Sequence, residues 1–247
     1  MTIPAVGLVG SCGCCGGQPH SVPGISPSRR TMLSAGIGGL AAATFGGAIL
    51  AKPASAQTKL SPDAAMQDLL DGNRRFVEKK LVSFDEDLAI LKQNTASHQE
   101  PFAAILSCAD SRVPVELVFD QSIGHLFVTR VAGNIATSEI IASLEYGAAV
   151  LGTKAILVLG HSGCGAVKAA IAGNEVPGQI SDLFAMIQPA IEQSGSDLTA
   201  AIKSNALFQA KLLSTASPVL AALIKAGDLK ILAGYYALDS GEVTILS

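Results

Sequence analysis

The sequence predicts an α/β protein, with a central, mostly parallel β-sheet flanked by helices and an N-terminal helical arm ahead of it. Three observations predict it. Short, nearly continuous apolar runs at 102–107, 125–131 and 154–160 read as strands buried on both faces. Segments with apolar residues three to four apart lie between and after these runs, the alternation expected of a helix-covered parallel sheet. No internal repeat or low-complexity linker follows residue 57, so one α/β domain is expected.

Ser61-Pro62 opens the first helix, with Ser as N-cap and Pro at the first helical position. The helix is expected to run to about Leu81. Met66, Leu69, Leu70, Asn73 and Phe76-Val77 form one face, and Arg74, Arg75, Lys79 and Lys80 lie on the other. That first face has no obvious local partner and needs either this core or a second subunit to pack on. Phe102–Ser107, His125–Val131 and Lys154–Gly160 follow as strands, with helical spacing over Ser138–Leu151 between the last two. Helices are expected at about 164–173, 181–194 and 200–226. Leu229–Ala237 and Val243–Leu246 close the chain as strands around a Ser240-Gly241 turn.

Residues 1–56 stand apart from this pattern. They hold no Asp or Glu and three basic residues, Arg29, Arg30 and Lys52. Arg29-Arg30 precede an apolar run from Met32 to Ala51, and Ala54-Ser55-Ala56 supplies a small-x-small cleavage pattern. Ser28-Arg29-Arg30-Thr31-Met32-Leu33 resembles a twin-arginine export signal cut near Ala56. About 20 apolar residues can also span a bilayer, so an uncut membrane anchor is the alternative. The expected organisation is a signal over 1–56, a helical arm over 57–95 and an α/β domain over 96–247. The expected location is the periplasm, or another exported compartment such as a thylakoid lumen or the cell exterior. Without the signal the chain keeps 14 basic against 20 acidic residues, a net charge of about −6. That balance argues against nucleic-acid binding, which runs on Lys and Arg neutralising phosphates. Cys12, Cys14 and Cys15 leave with the signal, and Cys108 and Cys164 remain.

Two strand ends carry the chemistry. The first expected strand runs into Cys108-Ala109-Asp110-Ser111-Arg112, and the 154–160 strand into His161-Ser162-Gly163-Cys164-Gly165. Ligands of open α/β sheets bind beyond the carboxyl ends of strands. Two thiolates and an imidazole suit zinc, which takes four ligands in a tetrahedron. Cys108, His161 and Cys164 provide three, and the fourth is either water or the carboxylate of Asp110. A Cys108–Cys164 disulfide is the rival in an oxidising compartment, and it explains neither His161 nor the Asp-x-Arg beside Cys108.

These two motifs, in this order and about 50 residues apart, resemble the β-class carbonic anhydrases. Phe127-Val128-Thr129-Arg130-Val131-Ala132-Gly133-Asn134 and Ser143-Leu144-Glu145-Tyr146 match the family's pattern too, and the resemblance covers about residues 60–246. It implies a β-carbonic anhydrase-like fold and a zinc (Zn2+) lyase that converts carbon dioxide reversibly to bicarbonate and a proton, by hydroxide generated at the metal. Cys108, His161 and Cys164 are then the zinc ligands, and Asp110 with Arg112 the catalytic dyad. Arg112 would hold Asp110 ionised and turned from the metal, and Asp110 released from Arg112 would close the site as fourth ligand. The resemblance also places Gln99, Phe119 and Gly133 about the substrate, and it implies that Gln99 and Phe119 act on a neighbouring subunit's zinc.

His98 and His125 are candidates for passing the proton outward. Relatives in the family are dimers or multiples of dimers, so a homo-oligomer is implied, with the twin-arginine translocation machinery as an export partner. The chain has no Trp, so the Trp-Arg-Tyr bicarbonate-inhibition site of some relatives cannot be complete. A related hydrolase of carbonyl sulfide or carbon disulfide, and a non-catalytic zinc-binding homologue, are the alternatives. Retention of Asp110 and Arg112 speaks against the non-catalytic reading.

Overall fold

A computed structural model describes residues 58–83 and 88–247. The export signal and anchor readings, with Cys12, Cys14 and Cys15, lie outside the described residues. Among the described residues no single helix is long and apolar enough to cross a membrane.

The elements run α1 (Pro62–Val77), α2 (Leu88–Thr95), β1 (Ala103–Ser107), α3 (Val115–Val118), β2 (Leu126–Arg130), α4 (Ser138–Glu145) continued by a π-helical turn (Tyr146–Val150), and β3 (Ala155–His161). Then come α5 (Gly165–Ala172), α6 (Asp182–Ser194), α7 (Leu198–Ala216), α8 (Pro218–Ala226), β4 (Lys230–Tyr236) and β5 (Val243–Leu246). The sheet order is β2-β1-β3-β4-β5; β1 to β4 are parallel and β5 closes one edge antiparallel to β4.

The apolar strands serve two faces at once, because side chains alternate across a strand. Ala103, Ile105, Leu157 and Leu159 point into one core with Met66 and Leu69 of α1, while Ala104, Leu106, Ile156 and Val158 point into another with Leu144, Ala206 and Leu213. Much of the α1 face that lacks a partner in sequence is therefore covered by this chain's own core, through Met66, Leu69 and Asn73, while Val77 at its end stays exposed. Close approach makes this docking possible: a Cβ at Gly72 would lie 1.8 Å from the Phe119 carbonyl oxygen. Asn73, buried on that face, donates through Nδ2 to the carbonyls of Val118 (3.1 Å) and Gly241 (2.9 Å) and accepts from Val243 N (2.8 Å).

Two boundaries differ from expectation, and two short helices were not expected. The first helix ends at Val77, and Lys79 turns the chain with φ 58°. The expected 200–226 helix is two helices meeting at 91°. Pro218 disfavours helix at Ser217, and Ser217 Oγ instead caps α8 by accepting from Leu220 N at 3.0 Å. The short helices α2 and α3 have no periodic signature long enough to read.

Asp120, in the left-handed region at φ 47°, anchors the chain leaving α1. Its buried carboxylate accepts from Arg75 Nε (2.6 Å), Ser83 Oγ (2.7 Å), Ser83 N (3.0 Å) and Val82 N (3.1 Å). Burial raises its pKa, and the Arg75 and Ser83 hydrogen bonds overcome this to leave it below the ordinary 3.8. A carboxyl depressed in the folded state stabilises above its unfolded pKa, and loses that contribution as pH falls through the folded value. Asp120→Asn is expected to cost about 2 kcal/mol in urea unfolding at pH 6. The gap to wild type should narrow below the ordinary carboxyl value; a constant gap over that range would contradict this role.

Candidate metal centre

The strand order reverses direction between β1 and β3: the chain leaves β1 for β2 on one side and returns to β3 on the other. Such a switch point opens a crevice at the carboxyl ends of the strands. Register places Ser107 of β1 beside Leu159 of β3, so Cys108 and His161 emerge at the same edge. Gly163, at φ 65°, turns the chain after His161 and delivers Cys164 as the residue preceding α5.

The ligand atoms of Cys108, His161 and Cys164 lie within 4.8 Å of one another, and all three residues are buried. The two sulfurs are 4.0 Å apart and both cysteines are free. A disulfide needs about 2.05 Å, so the rival disulfide is not formed in this structure. A tetrahedral zinc with Zn–S bonds of about 2.3 Å sets its sulfurs about 3.8 Å apart, close to what is seen. His161 Nδ1 donates to the Ser162 carbonyl at 3.0 Å, which leaves the Nε2 lone pair facing the sulfurs, buried and without a partner. An orphaned buried acceptor beside two thiols is what a metal site requires, and the donor set fits zinc.

Electrostatics favour a thiolate here. A hydrogen bond from the Cys164 thiol holds the Cys108 thiol well below its usual range against the opposing effect of burial. The backbone N–H groups of Gly133 and Asp110 add to this lowering. Its partner Cys164 is pushed up by the same shared proton and by burial. The surroundings are apolar, with Ile135, Val167, Ile187 and Ile202 packed about the sulfurs.

Asp110 and Arg112 form the expected pair. Arg112 Nε donates to Oδ1 at 2.9 Å and Nη2 to Oδ2 at 2.7 Å, and Arg112 N also donates to Oδ1 at 2.9 Å. These bonds keep the Asp110 carboxyl well below the usual carboxylate range. Oδ2 lies 3.9 Å from His161 Nε2, so the carboxylate borders the centre while both its oxygens remain engaged by Arg112.

Arg130 is a site residue whose role the sequence does not disclose. It donates from Nε to the Cys108 carbonyl at 2.9 Å and from Nη2 to the Asp110 carbonyl at 2.6 Å, clamping the ligand turn. Its place in the family-like segment 127–134 is a signal; its contacts, being with backbone, are not. Gly133 lies beside the metal ligands, and its N–H points at Cys108 Sγ at 3.4 Å.

Other expected residues lie elsewhere in this chain. Gln99 is exposed in the segment before β1, at the amino edge of the sheet, opposite the cysteines. Phe119 is fully buried in the core with Leu69 and Val115, so within one chain its ring is a packing element and forms no wall of the site. His125 precedes β2 at the amino edge and meets Gln121 Oε1 at 3.3 Å, while exposed His98 pairs with Glu100 at 3.3 Å. Five residues of β2 separate His125 from the carboxyl edge, about 17 Å of strand. His125 therefore passes no proton from this chain's own centre. A cavity of about 730 Å³ lined by Lys59, Arg75, Glu100, Asp120 and His125 also opens at the amino edge, away from the metal ligands.

The carbonic anhydrase family model matches residues 103–243. Carbonic anhydrase 2 of Mycobacterium tuberculosis is 33% identical over 193 residues, covering 75% of this chain and 93% of the relative. The carbonic anhydrase of Mycolicibacterium smegmatis is 33% identical over 198 residues, covering 76% and 94%. Among solved structures, the β-carbonic anhydrase CcaA superposes with a TM-score of 0.61 at 29% identity, covering 74% of this chain and 87% of that one.

Proposed function

The chain belongs to the carbonic anhydrase family, in its β class, and from that premise we infer that its cysteine–histidine centre carries zinc and serves the reversible hydration of carbon dioxide to bicarbonate and a proton. The observation that carries this reading is the buried Cys108–His161–Cys164 group, with His161 Nε2 unpaired, beside a bidentate Asp110–Arg112 pair. Zinc held there supplies the Lewis acidity that makes water a nucleophile near neutral pH. Asp110 accepts the hydrogen bond of the attacking water at Oδ2 and so sets the direction of its lone pair. Arg112 keeps that carboxylate ionised and fixed in orientation. Ile135 and Ile187 belong to the buried apolar cluster that holds both cysteines, so the ligand sulfurs sit in surroundings of low polarity.

Residues 1–56 act as a twin-arginine-type export signal cut near Ala56, which sends the protein to the periplasm. Arg29-Arg30, the apolar run behind them and Ala54-Ser55-Ala56 support this. The protein works as a homodimer or a multiple of dimers. Support comes from the apolar surface along edge strand β2, where partly buried Phe127 meets Tyr146, itself 47% exposed, with Val150 a turn further on. The placement of Gln99 away from its own centre also supports shared sites.

Stopped-flow hydration of carbon dioxide by protein beginning at residue 57 tests the activity. The expected result is zinc-dependent turnover, lost on chelation and regained with zinc. A zinc-loaded protein without turnover would sink the reading. In the same experiment series, mass spectrometry of exported protein is expected to find Gln57 or a close neighbour at the N-terminus, and sedimentation to find no monomer.

A further inference from the structure

Two amides are wholly buried in α7, a helix otherwise packed with apolar side chains. Asn205 and Gln209 stand one turn apart and neither has exposed surface. Buried amides are costly unless their groups are paired, and here the pairing runs in one direction. Gln209 Nε2 donates to the Met186 carbonyl of α6 (2.9 Å) and to Asn205 Oδ1 (3.1 Å). Asn205 Nδ2 donates to the Gly133 carbonyl (2.8 Å), and Gln209 Oε1 accepts from Ala136 N (2.9 Å). Reversing either amide would set carbonyl against carbonyl, so the chain of bonds fixes both.

The loop so held is the one whose Gly133 N–H meets Cys108 Sγ at 3.4 Å. Gly133 needs this support. It sits at φ 78°, and a Cβ there would come within 2.9 Å of Ile187 Cδ1. Asn205 fixes the peptide that follows Gly133, while the peptide preceding it carries the N–H to the sulfur. We propose that Asn205 and Gln209 are positioning residues for the metal centre, holding the Gly133 N–H against the Cys108 thiolate. This rests on the centre holding a metal, and adds that α7 sets how strongly Cys108 donates to it. An N–H on a thiolate stabilises the anionic sulfur and holds it in place as a ligand, and such outer contacts typically alter metal affinity by about 10–100-fold.

The test uses zinc-loaded protein with Gln209→Glu, which keeps the volume and the acceptor but removes both donors, and with Asn205→Ser. Zinc release to a chromogenic chelator is expected to quicken about 10-fold or more, and the thiolate-to-metal charge-transfer band of the cobalt-substituted protein to shift. Variants that lose only thermal stability, with release rate and band as in wild type, make the pair structural and overturn the proposal. In wild-type protein loaded with cadmium-113, the Gly133 amide proton is expected to couple to the metal through the sulfur. Absence of that coupling overturns the proposal without any variant. Wild-type protein that binds cobalt with a thiolate band yet hydrates no carbon dioxide would sink the activity and leave this inference standing.

Discussion

Cys108→Ser strips the centre of zinc and lowers carbon dioxide hydration by about 10³-fold or more. The hydroxyl that replaces the thiol is a poor zinc ligand at neutral pH, and only His161 and Cys164 would be left to grip the ion. Cys108 is also the sulfur toward which this site is built. It receives the Gly133 N–H at 3.4 Å, and its turn is clamped through its carbonyl by Arg130 at 2.9 Å. Zinc content by mass spectrometry and initial rates by stopped flow check the result together. A Ser variant with one zinc per chain and wild-type rates would remove Cys108 from the ligand set. The fold itself should survive, because Ser is nearly the same size as the Cys it replaces and the two larger sheet-face cores do not include this residue, which lies in the smaller cluster with Ile135 and Ile187.

Asp110→Ala has a different signature. It leaves zinc in place, since the three ligand atoms cluster without it, and lowers kcat/KM by about 10²–10⁴-fold through loss of the group that orients the attacking water. Arg112→Lys keeps the charge but cannot make two parallel bonds to the carboxylate. Its expected loss is about 10–100-fold, the scale of a misplaced catalytic group. Rates measured beside zinc content separate the two roles. Undiminished turnover in Asp110→Ala would end the proposed part of the carboxylate, and loss of zinc in that variant would make it structural.

What could be read in the sequence followed from what leaves a local trace. The strands at 102–107, 125–131 and 154–160 announce themselves because both faces of a parallel sheet are covered, so most positions are apolar; the edge strand at 125–131 breaks its run at Thr129 and Arg130. Cys108, His161 and Cys164 are legible because their side-chain chemistry is uncommon and falls at strand ends. The break at Ser217-Pro218 was marked by its proline, but apolar spacing on both sides masked the bend. Arg130, Asn205 and Gln209 escaped because they act on backbone carbonyls and N–H groups, and residue type does not announce such targets. Asp120 escaped for the same reason: among the described residues, three of the five hydrogen bonds to its carboxylate come from backbone N–H groups of Val82 and Ser83, 37 or 38 positions away. The unpartnered face of α1 was visible, but the chain of contacts that covers it, from Phe119 to Val243, spans the whole domain.

Cys108 and Cys164 stand 56 positions apart, and parallel pairing of β1 with β3 is what draws them together. In a nascent chain only His161 and Cys164 are neighbours, too few donors to capture an ion tightly. Sheet assembly, with its slow long-range pairing, must therefore come first. The ion arrives late as a seal on a finished frame, not as the seed around which the frame condenses.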